Sequence, residues 1–210
     1  MLLEFCAQNL ANVQEAIEAG ASRVELCDNL RIGGVTPSDD VVDEAVRLVH
    51  GLGATTMVMV RPRGGDFAYS ESEVALMEQI IDAVRLRGAD GVVFGCVRNG
   101  ELDEEATRRL ATAAKGLDLT FHMAFDDICE SAQPKALATL ARLGFSRVLT
   151  HGGPLDVPID KTMAHLRELK SSAHGRIGIM PGGGVTWQNV EVVCQQLDVS
   201  EAHGTRIVRL

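Results

Sequence analysis

Glu4-Phe5-Cys6, Glu25-Leu26-Cys27 and Glu201-Ala202-His203 repeat one arrangement three times: a carboxylate, an apolar residue, then a thiol or an imidazole. In an extended strand, residues two apart point to the same face. Each triplet therefore sets a proton-handling group beside a metal-capable one, with Phe5, Leu26 and Ala202 turned the other way. Cys6, Cys27 and His203 are the candidate metal ligands. Arg61-Pro62-Arg63 puts two guanidinium forks on one face, a geometry suited to carboxylate or phosphate. Asp66 follows in Gly64-Gly65-Asp66-Phe67, His122 ends Thr120-Phe121-His122, Asp126 lies in the next loop, and Thr150-His151-Gly152-Gly153 closes another apolar run. In Pro181-Gly182-Gly183-Gly184-Val185, glycines let backbone N–H groups approach an anion near a helix start. His122, Asp126, Glu25 and Arg61 form a candidate acid–base set. Arg61, Arg63, Asp66, Thr150, Gly182, Gly183 and Gly184 form a candidate site for a small anion.

Structural roles compete with each of these. A free cysteine is often a small buried hydrophobe. The three glutamates, costly to bury unpaired, have Arg61 and Arg63 as available ion-pair partners. The glycine run also serves as a tight strand-to-helix turn. Cys96, Cys129 and Cys194 have no matched partner and read as packing or surface thiols.

These residues need a scaffold that gathers them. Short β-branched apolar runs near 2–6, 23–27, 56–61, 91–95, 119–122, 147–150, 176–180 and 199–203 alternate with amphipathic patterns near 9–19, 38–50, 71–87, 103–115, 131–143, 159–171 and 187–197. Strands alternating with helices predict right-handed βαβ units and a parallel sheet. Gly20-Ala21-Ser22-Arg23-Val24, Gly88-Ala89-Asp90-Gly91-Val92 and Gly144-Phe145-Ser146-Arg147-Val148 repeat one helix-to-strand junction. The first strand runs into Cys6-Ala7-Gln8-Asn9, without the glycine fingerprint of an open dinucleotide-binding sheet. The expectation is an α/β fold, one (β/α)8 barrel spanning 1–210, with eight parallel strands. All the polar residues named above then fall at strand C-termini, where barrel enzymes place their chemistry. After the eighth strand only Gly204–Leu210 remain, too few for a closing helix, so the expectation is either a truncated final helix or a partner that covers the seam.

Composition narrows the function classes. The chain has 210 residues, a net charge of −9, 46% apolar and 23% charged residues, values typical of a folded domain. No basic run exists to neutralise phosphates, which argues against nucleic acid as a partner. The longest apolar stretches are strand-sized, against the ~20 residues of a membrane-spanning helix. The start, Met1-Leu2-Leu3-Glu4, has no basic leader region. Five cysteines without CxxC spacing suit reduced thiols in a cytoplasm.

Arg61-Pro62-Arg63-Gly64-Gly65-Asp66-Phe67 with Tyr69-Ser70 resembles the signature of the CutC family of copper homeostasis proteins. So do Val24-Glu25-Leu26-Cys27 with Gly33-Gly34 and Thr36-Pro37-Ser38, Thr120-Phe121-His122 with Ala124-Phe125-Asp126, Arg147-Val148-Leu149-Thr150 and Met180-Pro181-Gly182-Gly183-Gly184-Val185. The resemblance runs from residue 2 to about 205. It implies a TIM barrel, a cytoplasmic homodimer or higher homo-oligomer, and a link to copper, with Cu(I) on the cysteines matching Cys6 and Cys27. Soft thiolates suit Cu(I), and no organic cofactor is implied. The chain departs from the family pattern in three places: Met123 stands where an arginine is usual, His151 where a serine is usual, and the chain stops soon after His203. Two functions follow as expectations: Cu(I) binding, or acid–base chemistry of an isomerase or lyase type on a small anionic or sugar-like molecule.

Overall fold

The computed structural model describes residues 1–210. Eight parallel strands are β1 (Leu2–Gln8), β2 (Arg23–Cys27), β3 (Thr55–Met59), β4 (Gly91–Phe94), β5 (Asp118–Phe121), β6 (Arg147–Thr150), β7 (Gly178–Pro181) and β8 (Glu201–Gly204). Seven helices alternate with them: α1 (Val13–Glu18), α2 (Asp39–Gly51), α3 (Glu71–Leu86), α4 (Glu104–Ala113), α5 (Gln133–Arg142), α6 (Ile159–Ala173) and α7 (Val190–Leu197). A two-residue hairpin, Val97–Arg98 with Glu101–Leu102, sits in the β4–α4 connection.

The hydrogen-bonded order is β8-β1-β2-β3-β4-β5-β6-β7, so the sheet curls into the expected TIM barrel. It is nearly closed. No ladder joins β7 to β8, although the two strands pack side by side.

The two faces of each strand carry different residues because side chains alternate. Outward positions such as Phe5, Val24, Leu26, Val58, Phe94, Phe121, Val148 and Ala202 join helix residues in one large apolar core. Inward, the apolar cluster is small: Cys6, Cys27, Met57, Met59 and Val93. The remaining interior is polar, as the Glu-x-Cys and Glu-x-His triplets require.

Helix starts are chemically defined. Ser70 accepts from the Glu73 N–H while Glu73 accepts from the Ser70 N–H, a capping box that fixes the first turn of α3 just after the Arg61–Phe67 loop. At the other end, Gly144 takes φ +89 between α5 and β6, a backbone state that favours glycine. No helix follows β8. Instead the C-terminal tail runs beside the β7–α7 loop, where the Trp187 N–H donates to the Arg206 carbonyl at 2.8 Å. Ile207 and Val208 are buried. The tail itself thus supplies part of the expected cover.

Candidate functional site

Strand register explains which polar residues meet. Glu4 pairs across to Arg23, and Cys6 to Glu25, on β1–β2. Glu4 also stands level with His203 on β8. Two layers result inside the barrel.

The lower layer is an ion network. The Arg23 Nε donates to Glu4, and its Nη2 reaches Glu201 Oε2 at 2.7 Å. Arg147 bridges Glu201 at 3.1 Å and Asp118 at 2.7 Å, and donates to Thr120 at 2.9 Å. Gly178 makes room for this network: a Cβ there would sit 3.0 Å from Glu201 Oε1.

The upper layer holds the thiols. Cys6 and Cys27 both donate to Glu25 Oε1, at 3.5 and 3.3 Å. The ligand atoms of Cys6, Glu25 and Cys27 lie within 4.8 Å of one another, as do those of Glu4, Glu25 and His203. His203 Nδ1 is 2.7 Å from Glu4 Oε1, and its Nε2 is 4.0 Å from Glu25 Oε1. Glu25 therefore joins the two groups.

Charge settles unevenly over this cluster. The Cys27 thiol beside it lowers the Cys6 thiol to about 5 despite burial, with His203 adding to the effect. The Cys27 thiol moves well up, because of Cys6 beside it and its own burial. Burial raises Glu25 to about 8, reinforced by Cys6 and Glu4 and opposed by His203. Burial opposes ionisation of Glu4, but His203 and Arg23 outweigh it and bring Glu4 down to about 2. His203 moves well up against burial, held by Glu25, Cys6 and Glu4. Cys6 is the thiol poised to be a thiolate, and His203 the balancing cation.

Above the cluster opens a cavity of about 330 Å³, lined by Cys6, Glu25, His203, Arg61 and His122 among others. Cys27 is not on its wall. The β2–α2 loop folds over it, and Gly34 lies so close that a Cβ there would be 3.2 Å from the Cys27 Sγ.

The expected pairing of Glu4, Glu25 and Glu201 with Arg61 and Arg63 does not occur. Glu25 is level with Met57, so Arg61 stands four residues higher, roughly 13 Å along the strand direction. The partners are Arg23 and Arg147 instead. Both were legible in the strand starts: Arg23 lies two residues before Glu25, hence on the same face. Arg61 is 4% exposed. It donates to the carbonyls of Ile32, Gly34 and Gly65 at 3.1, 2.9 and 2.8 Å and stacks on Phe67. Arg63 turns outward to Glu73 at 2.5 Å and Asp66 at 3.1 Å, so the two arginines do not share the cavity.

Other candidates also fall outside it. Asp66 is 74% exposed. Asp126 accepts from Thr150 Oγ1 at 2.5 Å and from the His151 and Gly152 N–H groups at 2.9 and 3.1 Å. Asp126 and Thr150 thereby pin the β6–α6 loop, and burial shifts Asp126 upward. His151 packs its two ring nitrogens against the carbonyls of Gly183, at 2.7 Å, and Val157, at 2.9 Å. Gly182 is held by packing, since a Cβ would meet Leu149 at 2.5 Å, while Gly183 and Gly184 line the cavity.

A sequence model of the CutC family matches residues 1–208. The chain belongs to the CutC family. A family protein CutC from Enterococcus faecalis is 46% identical over 210 residues, covering 99% of this chain and all of the relative. The human copper homeostasis protein cutC homolog is 38% identical over 203 residues, 96% of this chain and 72% of its own length. The crystal structure of CutC from Streptococcus agalactiae superposes with a TM-score of 0.96 at 44% identity, covering 99% of this chain and all of that one. The barrel expected from the strand–helix alternation and the family expected from the Arg61–Phe67 heptapeptide and its companion motifs are therefore correct. The family match spans both interior layers and the cavity loops, from Glu4 to His203.

Proposed function

We propose that this chain binds Cu(I) on Cys6 and Cys27, with His203 as a third ligand, as a homo-oligomer in the reducing cytoplasm. The convergence of two buried thiols on one carboxylate oxygen carries the reading. Metal–thiolate bonds of about 2.3 Å let two sulfurs on one ion stand about 4.6 Å apart, and the two Sγ atoms lie within 4.8 Å. Soft sulfur donors favour Cu(I) over hard cations. The human relative is named a copper homeostasis protein homolog, which agrees with this donor set. The ion would enter through the cavity, where Cys6 and His203 are accessible, and Cys27 would complete the site from behind. Glu25 would take up or release a proton as the thiols lose theirs, and binding strengthens with pH because ligands must be deprotonated.

Competition with a chromophoric Cu(I) chelator tests the reading. Cys6→Ser and Cys27→Ser should each weaken binding at least ~10-fold, the loss of one charged ligand. Unchanged affinity in either variant would overturn it. Sedimentation of the same samples reads the oligomeric state.

A second reading has its own observation. The cavity exposes Glu25 and His122, each with a buried side-chain atom that bonds to nothing in the chain, Glu25 Oε2 and His122 Nε2. Thiol ligation leaves His122 without a task and uses Glu25 only as a proton store. They suit acid–base chemistry on a small anionic molecule, with Glu25 or His122 moving the proton and Arg61 supplying charge. Turnover assays on small sugar phosphates and organic acids test this, with Glu25→Gln expected to abolish any activity found.

A further inference from the structure

The cavity wall opposite His122 is built from two loops that meet across the open seam. Gly183, Gly184 and Val185 follow β7, and Thr205 and Arg206 follow β8. The N–H groups of Gly183, Gly184, Val185 and Thr205 make no hydrogen bond inside the chain. On the β7 side the flanking N–H groups are taken: that of Gly182 by the Thr150 carbonyl at 3.0 Å, and that of Thr186 by Asn189 Oδ1 at 2.8 Å. Gly183 and Gly184 both have positive φ, +67 and +86, and successive N–H groups in such turns form concave anion cradles. The Arg206 guanidinium forms no ion pair, unlike Arg23, Arg63 and Arg147.

Two buried side chains on the same cavity point independently to an oxygen-rich ligand. His122 is 4% exposed. Its Nδ1 accepts the Ala124 N–H at 3.2 Å, so the ring proton sits on Nε2. That Nε2–H has no acceptor in the chain. Arg61 is a buried cation whose partners are all neutral carbonyls, and its Nε bonds to nothing. A buried donor or charge left uncompensated is costly. Both would be compensated by an anionic ligand in the cavity.

We propose that the cavity binds a small phosphate monoester, its phosphoryl group on the Gly183–Val185 and Thr205–Arg206 loops and an oxygen of its organic part on His122 Nε2. The two loops and His122 offer donors only: four free N–H groups, one free guanidinium and one imidazole N–H, while Glu25 and Cys6 line another part of the cavity. A phosphoryl group offers three acceptor oxygens to such a cradle. The 330 Å³ volume fits a ligand of a few carbons rather than a nucleotide chain. This deepens the small-anion reading above and is independent of copper on Cys6 and Cys27.

Calorimetric titration and thermal shift of the full-length, metal-free protein test it. The probes are inorganic phosphate, glycerol phosphate, triose, pentose and hexose phosphates, and the matching non-phosphorylated carboxylates. The expected result is saturable binding of at least one ester. Arg206→Ala, a change at an exposed side chain, should weaken both the ester and inorganic phosphate about 10-fold. His122→Phe should weaken the ester about 10-fold and leave inorganic phosphate unchanged, with its fold checked by circular dichroism. No saturable binding of any phosphate overturns the proposal. So does ester binding that neither variant changes, or carboxylates binding as tightly as their phosphorylated counterparts. Ester binding without turnover retires the enzymatic reading and keeps the site.

Discussion

The two layers inside the barrel bury similar chemistry and treat it in opposite ways. In the lower layer Glu4, Arg23, Glu201, Arg147 and Asp118 pair with one another. In the upper layer Glu25 Oε2, Arg61 Nε and His122 Nε2 are left without partners. Buried polar groups are normally satisfied, and the exceptions ask for an explanation. The lower layer is complete without a ligand, so it reads as architecture. The upper layer is complete only when something else supplies the missing partners, so it reads as the working face.

The contrast breaks most visibly at Arg23. Arg23→Met removes the cation shared by Glu4 and Glu201, and breaking a buried pair costs about 3–5 kcal/mol. Urea denaturation should show a loss of that size or no folded protein at all. A well-folded Arg23→Met variant of wild-type stability would remove the distinction between the layers. At the upper layer the paired variant Cys6→Ser/Cys27→Ser should lose Cu(I) binding by two orders of magnitude or more. Its urea midpoint should move little, since each change exchanges one small buried donor for another, about 1 kcal/mol.

Acid pH sharpens the comparison further. Burial, aided by Arg61, lowers His122 to about 3 from the usual 6.5, so the folded state resists a proton that the unfolded chain accepts. Its contribution is complete above pH 6.5 and is lost as pH falls from 6.5 towards 3. Stability of the wild type minus that of His122→Phe should therefore rise with pH across that window, by at most about 1.4 kcal/mol per pH unit, and level off above it. A flat difference curve would mean that the imidazole is solvated. The smallest effect belongs to Asp66→Asn. Its pair with Arg63 is largely exposed, and such pairs contribute about 0–1 kcal/mol. Neither stability nor copper affinity should change measurably.

The fold and the inward face were legible because both rest on local rules. Period-two alternation placed Glu4, Cys6, Glu25, Cys27, Glu201 and His203 inside and Phe5, Leu26 and Ala202 outside, as observed. The height of each residue was not legible. Arg61 and Glu25 share the interior but do not pair, because the β2–β3 register sets Glu25 against Met57 and leaves Arg61 four residues nearer the rim. Asp126 read as a catalytic group and Thr150 as an anion-binding one, and they bind each other instead, since loop geometry turns the carboxylate back onto the β6 end. Conversely, the orphan state of His122 Nε2 depends on where Ala124 places its N–H, which no spacing rule encodes.

The open junction between β7 and β8 has one more consequence. Two strand edges without a shared ladder are the place where a barrel exchanges its amide protons first. The loops that would hold the phosphoryl group hang from those two edges, one from each. A ligand seated there spans the gap and acts as a removable rivet, so its arrival should be written in slowed deuterium uptake along residues 178–180 and Glu201–Gly204.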